Sequence, residues 1–393
     1  MAGVIEQINI VTTKNKSLGS GAGGDVYLSE DGEFALKVIT TEQEAGTGFV
    51  SFIKKNKLEE GDDLSEFHDT GVNFVREFKL PITLNHPNVM KQYGIFESKG
   101  GDGKISFGVK LELADIGLDK ILYSGTKERL SLEEKRSLSC QLFNAIYYLG
   151  QIGLVHRDIK PSNMMITKTG VLKISDFGAL CPSYEFGERN YYYNNDGGTE
   201  NYKPPEFLIG VNNYEYNNGF DIWSAGVTMI EIYTSFPRFS NPGFIDNGGV
   251  ASKQARKVLE QVMTCFPVAE RQVDYGANEG PGDFPWFKNN RAKIAYLGGE
   301  NLEDRFRQLM LNNWGGDYDE TMADFLVNKV LKFEAVERTS EYFDHEFMNG
   351  YRNRKSDAEV GVNINKTWDV IDLMKIPLKQ HSDNDAYDSD DLD

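Results

Sequence analysis

Apolar and polar positions alternate through residues 10–40 as they do in half-buried strands: N-I-V-T-T-K, a glycine cluster G-S-G-A-G-G-D, then V-Y-L-S, D-G and F-A-L-K-V-I. A second alternating set, F-E-S-K-G-G-D-G-K-I-S-F-G-V-K-L-E-L (96–113), predicts a hairpin turning at Gly100–Gly103. Between them, V-N-F-V-R-E-F-K-L (72–80) has helical apolar spacing. Pro81 is expected to end or kink that helix, because proline lacks the donor an interior helical position needs. Residues 1–113 therefore read as a strand-rich lobe with one main helix.

Beyond residue 115 the period becomes helical. Ser131 and Glu134 form a capping box, followed by Leu138, Leu142, Phe143, Ile146 and Leu149 on one face. Further helices are predicted at 220–235, 251–266, 302–312 and 320–333. Residues 114–378 thus read as a hinge and a mostly helical lobe, with the boundary near Asp115–Gly117. Residues 41–71 and 237–300 are Gly-rich, polar and weakly periodic, and read as insertions. The first of these is either a tolerated surface loop or a docking or regulatory element, for an activator or other partner, that steadies the helix carrying Glu77.

Composition narrows the classes. The 393 residues are 40% hydrophobic, enough for one large core or two modest ones. No run approaches the roughly 18 apolar residues of a membrane helix. The start, M-A-G-V-I-E-Q, has no basic segment leading into an apolar one, and Ala2 replaces the glycine of a myristoylation signal. The expectation is an intracellular chain, cytoplasmic or nuclear and not secreted. Cys140, Cys181 and Cys265 are odd in number and widely spaced, which suits free thiols. A net charge of −18 argues against binding nucleic acid or anionic membrane through a global basic field. The last fourteen residues hold six Asp and no Lys or Arg, so 379–393 is expected to be a disordered acidic tail.

The candidate chemistry is concentrated in V-H-R-D-I-K-P-S-N (155–163). Six polar or charged side chains there lie between two apolar runs, Ile152–Val155 and Met164–Ile166. Gly19, Gly21 and Gly24 with Val26 make a G-x-G-x-x-G-x-V segment, whose backbone can approach phosphate oxygens closely. It lies strand–loop–strand, which differs from a Rossmann or Walker site. Lys37 sits inside an apolar strand and needs an acidic partner, for which Glu77 is the candidate.

The glycine loop, F-A-L-K37-V, R-E77-F, H86-P-N-V, H-R-D158-I-K160-P-S-N163, D176-F-G178, P-P-E206, D221-I-W-S-A-G and E337-R338-T-S come in one order. In that order and context they resemble eukaryotic-type protein kinases over about residues 15–350. The resemblance implies an α+β, two-lobed kinase fold with an antiparallel small lobe. It implies a serine/threonine kinase that transfers the γ-phosphate of Mg-ATP to protein substrates.

By the same resemblance, Asp158 orients or accepts the substrate hydroxyl proton, Lys160 steadies the transferring phosphate, and Asn163 and Asp176 hold Mg²⁺. Lys37 reaches the α- and β-phosphates while Glu77 orients it. Val26, Ala35 and Met165 enclose the adenine, Glu112, Leu113 and Ala114 offer hinge backbone, and Leu111 guards the inner pocket. Leu18 belongs to the same nucleotide set as the three loop glycines. Thr199 is placed near Asp158 and Lys160, within the activation segment 176–206, and Glu206 pairs with Arg338.

Some positions depart from the family. Pro81 and Gln92 stand where it places apolar residues that stack with His156 and Phe177, so either Tyr93 fills the space or the geometry needs outside help. Ala22-Gly23 lacks the aromatic loop tip. Residues 184–198 contain no Ser or Thr, so Arg157 is expected to meet a carboxylate (Asp196 or Glu188), a phosphotyrosine at Tyr191–Tyr193, or nothing. Two rival readings are a nucleotide-holding pseudokinase scaffold and a small-molecule phosphotransferase of similar fold.

Overall fold

The structure is a computed structural model that describes residues 6–7, 17–21, 24–41, 75–99, 105–123, 130–183, 197–209, 216–235, 319–332, 335–356, 358–359 and 365–366. The predicted insertions, helices 251–266 and 302–312, Gly100–Gly103, the acidic tail, Cys265, Glu188, Tyr191–Tyr193 and Asp196 lie outside these residues.

Strands β1 (Glu6–Gln7), β2 (Ser17–Gly21), β3 (Gly24–Leu28), β4 (Phe34–Thr41), β5 (Gln92–Lys99) and β6 (Ile105–Glu112) form one sheet in the order β1-β5-β6-β4-β3-β2. All neighbouring pairs are antiparallel except β1 with β5, which is parallel, so the expected antiparallel sheet gains one parallel edge. Gly24 has φ +106°, and a Cβ there would lie 2.0 Å from the Val38 carbonyl oxygen. No other residue fits that turn.

The helix of this lobe does not stop before Pro81. A π-helical stretch, Val75–Lys79, runs into the α turn Leu80–Thr83, which contains the proline. The chain then crosses to the second lobe, where Met90 N–H donates to Ile174 O at 2.8 Å and Ile174 N–H donates to Asn88 O at 2.9 Å.

The second lobe is organised by helix Leu132–Gln151. Its capping box forms as the sequence requires: the Ser131 hydroxyl accepts from Glu134 N–H, and the Glu134 carboxylate accepts from Ser131 N–H. Leu138, Leu142, Phe143, Ile146 and Leu149 are all buried, against helix Asn218–Thr234 and its Trp223. Fully burying side chains of this size stabilises by about 1.5–3 kcal/mol each. Cys140 and Cys181 are free, buried thiols.

Short strands complete the frame. β7 (Ile116–Gly117) and β10 (Leu172–Ile174) flank β9 (Met164–Ile166), while β8 (Leu154–Val155) pairs with β11 (Cys181–Pro182). The apolar runs on either side of residues 156–163 are therefore strands. Their partners, β10 and β11, flank Asp176, so the catalytic-type loop and the D-F-G turn are clamped side by side.

Candidate active site

The loop between β8 and β9 is held from below by Asp221, which lies on helix Asn218–Thr234 and is fully buried. Its two carboxyl oxygens accept from the backbone N–H of His156 (2.6 Å) and Arg157 (2.9 Å). Burial pushes the Asp221 carboxyl up to about 7, against these two N–H groups and the Arg157 charge, which act in the opposite direction. Arg157 is thereby fixed at φ 67°, a left-handed conformation costly for a non-glycine residue. In the sequence Asp221 stands out only as part of the D-I-W-S-A-G motif. An aspartate among Phe220, Ile222 and Trp223 has the same need for a partner that singled out Lys37.

His156 is buried, and burial holds its imidazole below the ordinary value. Its Nε2 bonds the Ser175 carbonyl at 3.0 Å, and its Nδ1 accepts from Asp158 N–H at 3.3 Å. The neutral ring is thus a spacer between the loop and the D-F-G turn, 5.5 Å centre to centre from Phe177.

Four predicted residues converge above it. Asp158 Oδ2 lies 2.8 Å from Lys160 Nζ and accepts from Asn163 Nδ2 at 2.8 Å. The Thr199 hydroxyl donates to Asp158 Oδ1 at 2.8 Å and accepts from Lys160 Nζ at 2.7 Å. Burial disfavours the Asp158 carboxylate, but the Lys160 ammonium and the Thr199 hydroxyl outweigh it and hold the carboxyl below the usual range. Asp158 is therefore ionised at neutral pH. Asn163 Nδ2 also donates to the Asp158 carbonyl at 2.8 Å, which leaves the amide oxygen for a cation.

Asp176 has φ 64° and pairs with Lys37 at 3.1 Å. The expected Lys37–Glu77 pair is not the one formed. Glu77 lies against the D-F-G turn, its Oε1 3.2 Å from where a Gly178 Cβ would sit, and no ion pair joins it to Lys37. Burial raises the Glu77 carboxyl, with Lys37 lowering it and Asp176 raising it further, so the three groups share one field. Lys37, Glu77, Gln92, Leu111, Asp176, Phe177 and Gly178 line a pocket behind this cluster.

The register places Val26 opposite Lys37 and Ala35 opposite Leu111, on one sheet face with buried Ala35. Leu111, Ala114 and Met165 pack on the main core, and Leu18 is exposed on β2. The Glu112 side chain points away from a nucleotide role: its carboxylate takes Lys173 Nζ at 2.8 Å and Lys91 N–H at 2.5 Å. Among the described residues no turn or loop backbone hydrogen bond engages Leu113 or Ala114. Glu206 pairs with Arg338, as expected, and Arg338 lies 5.6 Å from the Trp223 ring centre.

Tyr93 does not fill the space beside Phe177: it is 52% exposed, whereas Gln92 is 2% exposed and lines the same pocket as Phe177. Arg157 donates to Ala179 O at 2.5 Å and lies 4.6 Å from the Tyr216 ring centre. Ser183 is 1% exposed, which removes it as an accessible modification site. A further polar cluster went unforeseen: buried Glu231 accepts from Tyr123 (2.5 Å) and Tyr202 (2.9 Å) beside the P-P-E segment.

The chain matches the protein kinase domain family over residues 12–348. It is 28% identical over 286 residues to cyclin-dependent kinase G1 of Arabidopsis thaliana, covering 71% of this chain and 44% of that one. It is 29% identical over 226 residues to human serine/threonine-protein kinase STK11, covering 57% and 49%. Aurora kinase B of Xenopus tropicalis is 30% identical over 296 residues, 71% of each. Against the first two the chain spans about half of the relative's length. With a domain match that covers strands β2 to β6, the loop and the D-F-G turn together, this chain belongs to the protein kinase family.

Proposed function

We propose that this protein transfers the γ-phosphate of Mg-ATP to serine and threonine hydroxyls of protein substrates. The observation that carries the proposal is the closed Asp158–Lys160–Thr199 network, with an ionised carboxylate and an ammonium held at one point. Phosphoryl transfer asks the protein mainly for positioning and charge neutralisation. On this reading Asp158 orients a substrate hydroxyl and takes its proton, displacing Thr199. Lys160 holds a phosphate oxygen, and Lys37, on the sheet side, another.

The donor set fits magnesium. Among the described residues no cluster of three His, Cys, Asp or Glu forms, whereas the Asn163 amide oxygen and the Asp176 carboxylate are hard donors on segments joined by the Ser175 N–H bond to the Asn163 carbonyl. One or two carboxylates plus substrate phosphates is the arrangement Mg²⁺ takes. When bound there, Mg²⁺ supplies neutralisation of charge on the phosphate oxygens. Gly19, Gly21 and Gly24 would cover the phosphates, with Leu18, Val26, Ala35, Leu111 and Met165 around the adenine and the Glu112–Ala114 backbone at its edge.

Lys160 next to Thr199 favours Ser/Thr over Tyr acceptors, as does the D-x-K-P-x-N form of the loop. The relatives that are named serine/threonine-protein kinases support the same class. Peptide arrays with radiolabelled ATP test the proposal. Incorporation on Ser/Thr peptides is expected. Nucleotide binding without transfer would point to a scaffold, and transfer only to small hydroxylated molecules to a phosphotransferase of similar fold.

A further inference from the structure

Two positions break the apolar pattern around Glu77, namely Pro81 on its helix and Gln92 on β5, and the structure brings both to the same stretch of backbone. Pro81 sits early in the α turn Leu80–Thr83 and has no N–H to donate. The carbonyl four residues back, that of Glu77, loses its helical donor as a result. The preceding stretch, Val75–Lys79, opens to π-helical pitch, which relieves the clash between a proline ring and that carbonyl. These carbonyls lie among Phe78, Leu80 and Pro81, all buried, where an unpaired acceptor is costly.

Gln92 supplies the donor. Its Nε2 lies 3.2 Å from the Glu77 carbonyl and 3.1 Å from that of Phe78. It reaches them because β5 carries a bulge: Gln92 pairs with Leu111 and Gly94 with Lys110, so Tyr93 is the extra residue. The bulge turns Tyr93 outward and Gln92 inward. Without it, the amide could not face the helix.

We propose that Gln92 is a positioning residue for Glu77, replacing the backbone donor that Pro81 removes. It ties the segment carrying Glu77 to β5, and through β6 to β4, which carries Lys37. The two departures from the family pattern are thus one compensated pair. The depth of Glu77 beside Lys37, Asp176 and Gly178 is set by a side chain on the sheet rather than by the helix alone. The inference rests on reading this cleft as the kinase site.

A double-substitution cycle tests it, with Gln92→Leu, Pro81→Leu and both together, in the full chain. Three quantities are read: kcat and KM for ATP on the best array peptide, and hydrogen exchange of the backbone amides in residues 76–84. Gln92→Leu alone is expected to lower kcat about tenfold, with a smaller change in KM, and to speed exchange in 76–84 by a similar factor. Adding Pro81→Leu restores an N–H at position 81, and should bring both readouts to within about threefold of the wild type. Equal effects of Gln92→Leu in the two backgrounds, or none in the first, would overturn the proposal. If Gln92→Leu yields no soluble protein, its recovery by Pro81→Leu is the same coupling, and failure to recover it counts against. A wild type inactive on every peptide would remove the functional reading, while the exchange cycle would still decide this one.

Discussion

On the catalytic-loop side of the cleft, Asp158 has three side-chain partners, Lys160, Asn163 and Thr199, and its loop is pinned by Asp221 underneath. On the sheet side, Lys37 has one ion-pair partner among the described residues, Asp176, while Glu77 stands apart from it against Gly178. The difference follows from where the parts come from. Asp158, Lys160 and Asn163 are close neighbours in the chain, so one short loop between two paired strands fixes them together. Lys37, Glu77 and Asp176 come from β4, a π/α helical stretch and the D-F-G turn, so their spacing depends on how three elements dock. Such a triad can hold more than one pairing at little cost, which is what a partly exposed ion pair permits.

The largest effect is expected on the redundant side. Asp158→Asn should lower kcat about 10²–10⁴-fold while ATP binding by calorimetry changes little, because Asp158 acts on the acceptor hydroxyl. Near wild-type kcat would remove Asp158 from its role. On the sheet side, Lys37→Met should lower kcat about a hundredfold or more with the fold intact. The pair it breaks is partly solvated, and the variant's stability is expected to change by less than about 1 kcal/mol. A collapse of stability in Lys37→Met would make the lysine structural and reverse the comparison.

The pin beneath the loop comes next. Asp221→Ala leaves two buried N–H groups without an acceptor, so denaturant titration should show a loss of about 2–5 kcal/mol. Asp221→Asn keeps one acceptor oxygen and should recover a large part. Equal losses would mean that the carboxyl's bonds to His156 and Arg157 are not what holds the loop.

The smallest effect concerns the crossing between the lobes. His86 is buried and stacked on Tyr148, and burial with the Lys355 and Lys173 charges drops its imidazole to about 3 from an ordinary 6.5. The unfolded chain takes a proton below its ordinary value and the folded chain does not. Its contribution is therefore fully present above that value and is lost as pH falls toward 3. The slope is about 1.4 kcal/mol per pH unit within that window. The stability difference between wild type and His86→Gln should narrow or change sign accordingly between pH 6.5 and 4. A pH-independent difference would place a charged or solvated imidazole there.

Local order was legible wherever neighbours in the chain do the work. The capping box at Ser131 and Glu134 is written in three residue steps, and the loop 155–163 carries its own ligands between its own anchors. The placement of Thr199 at Asp158 and of Arg338 at Glu206 followed from motif order. What needed three dimensions was every choice among partners equally good on paper. Lys37 could serve either Glu77 or Asp176, and the docking of helix and turn decided for Asp176. Pro81 and Gln92 each looked like a defect, because the sequence shows a missing donor and a stray amide without showing that they meet at one carbonyl. A strand position one residue off through the Tyr93 bulge reverses which side chain is buried. The sequence by itself determined which chemical groups this protein has and their order along the chain. Only the tertiary structure decided which of them touch, because burial makes an unpaired donor, acceptor or charge costly and packing alone determines where the nearest partner lies.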